Sequence, residues 1–293
     1  MLSDRETMGQ GAFMSLVEIL KIIVFGIVEG FTEWLPISST GHMILVDEII
    51  GLNQPDAFKE VFRVVIQLGA ILAVVVMYFN RLNPFSSSKN GRQKDATWAL
   101  WIKIIIACIP AAVLGLLLDD WMDAHLYNEY VVAATLIIYG VLFIVLESSS
   151  LCENPSVQKV SQISVRTAFY IGLFQLLSLV PGTSRSGATI LGAMVLGCSR
   201  GAAAEFSFFL GIPVMFGASL LKLVKFFLEG NMFTGPQLFY TLLGMLVAFI
   251  VSVYSIQFLM GYVRRHDFKF FGYYRIILGV IVLAYFGITA LAS

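Results

Sequence analysis

Charge is what this 293-residue chain has least of. Nineteen acidic and 19 basic residues make up only 13% of it, whereas 58% is hydrophobic and mean hydropathy is +0.84. A soluble domain carries about a quarter charged residues, so the bilayer is the solvent this sequence suits. With zero net charge and no basic block, the footprint of a nucleic-acid binder is missing, and nucleic acid is set aside as a partner. Cysteine is scarce as well. Cys108, Cys152 and Cys198 are odd in number and widely spaced, which argues against a disulfide framework or a C-x-x-C metal site and leaves them as small buried hydrophobes. The stretch from Met1 to Phe13 lacks the basic start of a secretory signal, and no small-residue cleavage site follows the apolar run 16–28. Residues 1–14 read as a disordered N-terminal extension and 15–293 as a single integral membrane domain.

Six apolar runs approach the length that crosses about 30 Å of hydrocarbon: 64–79, 98–118, 130–146, 205–227, 237–260 and 273–291. Two further apolar regions, 17–50 and 167–196, are each interrupted midway by a proline and a cluster of hydroxyls and charges. Irregular backbone at membrane depth is tolerated only where protein buries it or a cavity lies beside it, so both are read as re-entrant helical hairpins. Arg81, Lys89, Arg92 and Lys94, then Lys159, Arg166 and Arg200, then Arg264, Arg265 and Lys269 fall on one face of six crossings, which makes that face cytoplasmic; Lys59, Arg63, Lys222 and Lys225 are exceptions. The expected fold is therefore an all-α polytopic membrane protein with six transmembrane helices and two re-entrant hairpins. Hairpin plus three spans occurs twice, over roughly 15–147 and 163–292, and an odd number of spans inverts the second copy. Placing Gly41 on Gly187 sets Glu29 on Gln175, Ser38 on Ser184, Ser39 on Arg185 and Thr40 on Ser186.

The polar residues at the two breaks are functional candidates because ionisable groups at membrane depth are costly. Glu29 and Glu33 stand one helical turn apart, and two carboxylates held so close repel unless a cation or a proton sits between them, which predicts a divalent metal. Oxygen ligands predict Mg²⁺ or Ca²⁺. After Pro36, Ser38-Ser39-Thr40 before the run 43–50 predicts a helix N-cap, where free N–H groups and the helix dipole favour an anion. His42 lies within reach of these hydroxyls as a candidate base for a hydroxyl nucleophile. In the second break Pro181-Gly182 is expected to end one half-helix, residues 184–187 to form a small-residue turn, and Ala188 to begin the next half-helix. Arg185, with the hydroxyls of Ser184, Ser186 and Thr189, reads there as a phosphate cradle. Metal, nucleophile, base and phosphate clamp together describe phosphoryl transfer.

These two segments, Glu-Gly-x-Thr-Glu-x-Leu-Pro-x-Ser-Ser-Thr-Gly-His over 29–42 and Pro-Gly-x-Ser-Arg-Ser-Gly-Ala-Thr over 181–189, resemble the signature segments of bacterial undecaprenyl pyrophosphate phosphatases of the bacitracin-resistance type. The resemblance extends to Val65-Ile66-Gln67-Leu68-Gly69 and Ala204-Glu205-Phe206-Ser207-Phe208 and covers nearly everything after Met14. It implies a re-entrant inverted-repeat fold, a divalent metal, and removal of one phosphate from a C55 isoprenyl carrier lipid used in cell-wall synthesis. It also implies bacitracin resistance on overproduction, and a multi-pass protein of the bacterial inner (plasma) membrane with its site facing the outer leaflet. By motif position it gives Glu29 and Glu33 metal and acid/base roles and makes Ser39 the nucleophile, beside Ser38, and His42 the base. Arg185 would bind the pyrophosphate with Ser184, Ser186 and Thr189, and Thr40 is counted with Ser38 among the substrate-binding hydroxyls. The expected partners are an isoprenoid pyrophosphate lipid and the bilayer, with a homodimer as the assembly open to it. The competing reading, a flippase or transporter of polyprenyl phosphate or another anionic lipid, follows from the inverted repeat but leaves the hydroxyl and imidazole without a task.

Overall fold

The computed structural model describes residues 16–292, less the side chains of residues 119, 120, 123 and 290–292; the expected extension over 1–14 lies outside the described residues. The described regular structure is helical apart from an isolated bridge between Val157 and Cys198. Its helices are α1 (Leu16–Thr32), α2 (Ser39–Ile50), α3 (Asp56–Met77), α4 (Phe79–Leu82), α5 (Gly91–His125), α6 (Glu129–Glu147), α7 (Val165–Leu176), α8 (Arg185–Val195), α9 (Arg200–Leu228), α10 (Gly235–Tyr262) and α11 (Lys269–Ala292). Six of them, α3, α5, α6, α9, α10 and α11, contain stretches long and apolar enough to cross a membrane, in the six regions read from hydropathy.

Starts are set by side chains that satisfy free N–H groups. Asn90 with Gln93 and Thr234 with Gln237 form capping boxes at α5 and α10, and Asn128, Ser164 and Ser199 cap α6, α7 and α9. Helix α3 begins eight residues before the expected 64 because its charged first turns are held by ion pairs: Lys59 with Asp56 at 2.7 Å, Lys222 with Glu60 at 2.5 Å, and Arg63 with Asp47. Hydropathy detects the apolar length of a helix, and these turns lie outside it.

Close approach between helices is made by glycine. A Cβ on Gly69 would lie 2.0 Å from the Met245 carbonyl oxygen, one on Gly172 2.2 Å from that of Ala107, and one on Gly30 2.6 Å from that of Ala248. Gly26-Ile-Val-Glu-Gly30 is a small-xxx-small stripe, and it lays α1 along α10.

The pairings also fix directions. Gly26 meets Gly244 and Val247 while Gly30 meets Ala248 and Val251, so α1 runs parallel to α10. On the other side Lys103 reaches Ser161, Gly172 meets Ala107 and Gly115 meets Leu179, so α7 runs parallel to α5. Helix α9 runs antiparallel to α3, with Arg81 on Glu205, Tyr78 on Phe209 and Ser219 on the Val64 carbonyl, and α5 follows α9, its Trp101 donating to the Leu82 carbonyl and its Cys108 reaching that of Leu210. Helix α5 is thus antiparallel to α3, which runs parallel to α10 with Ile66 against Gly244 and Gly69 against Met245. The first limbs of the two broken regions therefore point in opposite directions. The largest apolar core gathers around both breaks, with Trp34, Leu35 and Ile37 packed with Ala188, Ile190, Phe206, Phe208 and Phe209.

Candidate active site

Each break is a helix that stops, turns, and restarts on a serine. Helix α1 ends at Thr32, and Glu33 still donates its N–H to the Glu29 carbonyl at 3.0 Å, so the two carboxylates keep their one-turn spacing although Glu33 stands just past the helix. After Pro36 the chain turns into α2 with Ser38 as N-cap, its hydroxyl accepting from the Gly41 N–H at 3.3 Å. In the second break Ser184 does the same for Gly187 at 3.1 Å. The expected turn over 184–187 is shorter than read: α8 starts at Arg185, not Ala188, because the Ser184 cap lets the helix form at once. Ser38 and Ser184 have φ of 71° and 72°, and they are the only non-glycine residues with positive φ among the described residues. That backbone is strained for a side-chain-bearing residue, and strain held at two matching positions points to a site.

The two breaks meet through Glu33. One carboxylate oxygen accepts the Ser39 hydroxyl at 2.8 Å, and the other accepts Arg185 Nη2 at 3.0 Å across 152 residues of chain. Arg185 Nη1 donates to the Ser207 carbonyl at 2.8 Å, and its guanidinium lies 5.6 Å over the Trp34 ring. Gly211 makes room for it, since a Cβ there would stand 2.9 Å from the guanidinium carbon. Ser186 Oγ donates to the Glu33 and Leu35 carbonyls at 3.0 and 3.2 Å.

Glu29 Oε1, Arg185 Nε and Trp34 Nε1 at the joint, and both amide atoms of Gln175 in α7, are buried with no hydrogen-bond partner among the described residues. A buried polar atom left unpaired is costly, and the three atoms at the joint are in position to bond a polar ligand. Glu29 is 1% exposed, so its idle oxygen is no surface accident.

His42 is placed differently from expectation. It sits three residues after Ser39 in α2, but its ring is held by other groups: Nδ1 stands 2.7 Å from the Ser38 carbonyl, and Nε2 stands 2.7 Å from the Tyr274 hydroxyl, with the two rings stacked. A carbonyl only accepts, so Nδ1 carries a proton, and Nε2 faces the Tyr274 hydroxyl. The group directly on the Ser39 hydroxyl is Glu33. Thr40 lines a cavity of about 140 Å³ with Gly115, Met122, Tyr127, Ser178, Leu179 and Pro181. The hydroxyls of Ser186 and Thr189 are buried and engaged, Thr189 with Ser207 Oγ at 2.7 Å and with the Arg185 carbonyl at 2.9 Å. They hold the joint together.

Residues 22–281 match the family of the bacitracin resistance protein BacA. The chain belongs to that family. It is 62% identical over 274 residues to the undecaprenyl-diphosphatase of Desulfitobacterium hafniense (strain DSM 10664 / DCB-2), spanning 93% of this chain and 98% of that protein. It is 59% identical over 273 residues to the undecaprenyl-diphosphatase of Streptococcus mutans serotype c (strain ATCC 700610 / UA159), spanning 93% and 97%. To that of Streptococcus thermophilus (strain ATCC BAA-250 / LMG 18311) it is 57% identical over 270 residues, spanning 92% and 94%. Membership of the BacA family and six apolar helices of spanning length make this a multi-pass membrane protein.

Within this BacA chain the reading of motifs passed over two residues that the fold brings to the joint. Tyr274 and Arg275 lie in α11, and Arg275 donates to carbonyls of both turns. The signal was present: an arginine inside the run Gly-Tyr-Tyr-Arg-Ile-Ile-Leu is an ionisable residue in an apolar span.

Proposed function

We propose that this chain hydrolyses undecaprenyl pyrophosphate to undecaprenyl phosphate and inorganic phosphate at the joint between the 33–38 and 180–184 turns. The observation that carries this reading is the Glu33 carboxylate, shared between a serine hydroxyl at 2.8 Å and a guanidinium at 3.0 Å. A hydroxyl facing a base, beside a cation and a helix N-terminus, suits phosphoryl transfer, where positioning and charge stabilisation do most of the catalysis. The activity named for its relatives supplies the substrate.

In this reading Arg185, with Ser184 and Thr40, grips the pyrophosphate oxygens, while Ser38, Ser186 and Thr189 hold the frame. Ser39 Oγ attacks the terminal phosphorus as its proton passes to Glu33, the bond to the bridging oxygen breaks, and the lipid leaves as its monophosphate. Water then cleaves the phosphoseryl ester and restores the hydroxyl. Water held in the place of Ser39 Oγ gives the same products in one step. His42, fixed through Nδ1, presents Nε2 for proton exchange with the leaving group or the attacking water.

Glu29 and Glu33 are the residues that would hold Mg²⁺ or Ca²⁺. The donor chemistry fits the group: both are hard oxygen donors, Glu29 Oε1 is buried without a partner among the described residues, and Glu33 would have to share an oxygen now bonded to Ser39 or Arg185. Among the described residues no cluster of three or more His, Cys, Asp or Glu forms, so two carboxylates with substrate oxygens and water would complete the shell. When bound, such an ion neutralises charge on the pyrophosphate oxygens.

The opposed directions of α1 and α7, and the matched serine caps of α2 and α8, support an inverted repeat of two re-entrant hairpins within one integral membrane domain. The cavity at Thr40 lies beside the C-terminal end of α5 and Tyr127 just after it, on the face poor in Lys and Arg, which supports a site open to the outer leaflet of the bacterial plasma membrane.

The test is phosphate release from C55 pyrophosphate by purified protein. Release is expected with Mg²⁺ or Ca²⁺, with a loss of about tenfold or more after chelation. Arg185→Ala is expected to lower turnover by about 10²- to 10³-fold. Absence of release by folded, metal-supplied protein overturns the activity; undiminished release after chelation overturns the metal alone.

A further inference from the structure

Arg275 is fully buried in α11, and every acceptor of its guanidinium is a main-chain carbonyl. Nη1 donates to Pro36 in the first turn at 3.1 Å, and Nη2 to Gly182 and Thr183 in the second at 2.9 and 3.0 Å. Nη2 and Nε also reach the Thr135 and Leu136 carbonyls of α6 at 3.4 Å, and the guanidinium lies 5.5 Å over the Tyr139 ring. No described ion pair includes it.

Two facts set this residue apart. A buried cation with no carboxylate partner carries a desolvation cost that structural arginines usually offset by pairing, as Arg200 does with Glu147. Three of its acceptors are also main-chain carbonyls of the turns where two helices break, Pro36 from one half of the site and Gly182 and Thr183 from the other. One planar fork thus spans both turns, while Ser186 ties them from the other side through the Glu33 and Leu35 carbonyls. The formal charges around the joint are Glu29 and Glu33 against Arg185 and Arg275. These sum to zero, but Glu33 is paired directly with Arg185, whereas no carboxylate stands within ion-pair distance of Arg275 among the described residues, so its charge is held by carbonyl dipoles alone.

We propose that Arg275 is a positioning residue of the pyrophosphate site, which locks the two turns in one register and contributes a positive charge, paired with no carboxylate of its own, that raises affinity for the pyrophosphate group. The inference rests on the hydrolase reading above. Lys at this position keeps the charge but cannot span both turns; Gln keeps neither. Turnover separates the two contributions from each other, and binding of inorganic pyrophosphate needs no turnover at all.

The experiment measures kcat and KM on C55 pyrophosphate, calorimetric affinity for inorganic pyrophosphate with Mg²⁺, and thermal unfolding in detergent for wild type, Arg275→Lys, Arg275→Gln and Tyr139→Leu. Arg275→Lys is expected to bind pyrophosphate within about threefold of wild type while kcat falls about 10²-fold, the scale of a 1 Å misplacement of reacting groups. Arg275→Gln is expected to lose about tenfold or more in pyrophosphate affinity as well. If Arg275→Gln binds pyrophosphate as wild type does, and its activity falls only with the fraction unfolded, Arg275 is structural and the proposal fails. Should both arginine variants fail to fold, Tyr139→Leu, which removes only the ring under the guanidinium, decides: a fall of about threefold or more in kcat at unchanged pyrophosphate affinity supports the proposal, and unchanged kcat overturns it. Wild type that neither binds pyrophosphate nor releases phosphate overturns the hydrolase reading itself.

Discussion

Ser38 and Ser39 are neighbours of the same type, yet the fold gives them separate work. Ser38 is fully buried at φ 71° with its hydroxyl committed to the Gly41 N–H, whereas Ser39 is part-exposed and directs its proton to Glu33. Ser39→Ala is therefore expected to lower phosphate release by about 10³-fold or more, as loss of a nucleophile does. Ser38→Ala is expected to cost about 1 kcal/mol of stability through the lost cap while retaining activity within about tenfold of wild type. Equal losses of activity in both, measured on folded protein, count against Ser39 as nucleophile. The motif spacing brought both serines and both glutamates to notice. It left open which serine faces the base, because adjacent residues share a composition and differ only in backbone angle. His42 was legible as a site residue in the same way, and its contact with the Ser38 carbonyl is local, but its contact with Tyr274 depends on a helix 232 residues away.

At the scale of the element, the helices are legible because apolar length is a property of local sequence, and the breaks are legible because proline and hydroxyls interrupt it. Helix ends are less so. The charged turns of α3 and the early start of α8 come from ion pairs and a cap that hydropathy does not weigh. Glycine shows the same division: Gly69 and Gly217 both lie inside spanning helices, and intrinsic propensity favours alanine over either by about 1 kcal/mol. Around Gly217 a Cβ would meet nothing within 4 Å, but at Gly69 it would lie 2.0 Å from the Met245 carbonyl. Gly69→Ala is thus expected to destabilise by about 2 kcal/mol or more by forcing α3 from α10, and Gly217→Ala to be neutral or slightly stabilising. Thermal unfolding of the two variants in the same detergent checks the contrast.

Across the whole molecule, packing sets the carboxylates, hydroxyl and imidazole of one break beside the guanidinium of the other, the set that the proposed hydrolysis draws on. Only 17% of the apolar window of α5 is buried, which suits a helix whose other faces meet lipid. Orientation is the prediction that belongs here. With Cys108, Cys152 and Cys198 replaced by serine, Ser87→Cys in the exposed 83–90 loop is expected to react with a membrane-impermeant thiol reagent only after cells are permeabilised, and Met232→Cys to react in intact cells. The reverse pattern inverts the topology and sets the site toward the cytoplasm.

Local sequence was sufficient for the solvent, the six spans, the two interruptions and the residues crowded into them, since hydropathy, proline and motif spacing act over a few turns of chain. Tertiary packing settled which of those residues touch. Glu33 joins Ser39 to Arg185 only because α8 is carried against the 33–38 turn, and the unpaired charge of Arg275 comes within reach of both turns only because α11 lies along α6. Hydrogen bonds require partners within about 3 Å, and across more than a hundred residues of chain that distance is set by helix packing and not by spacing along the sequence.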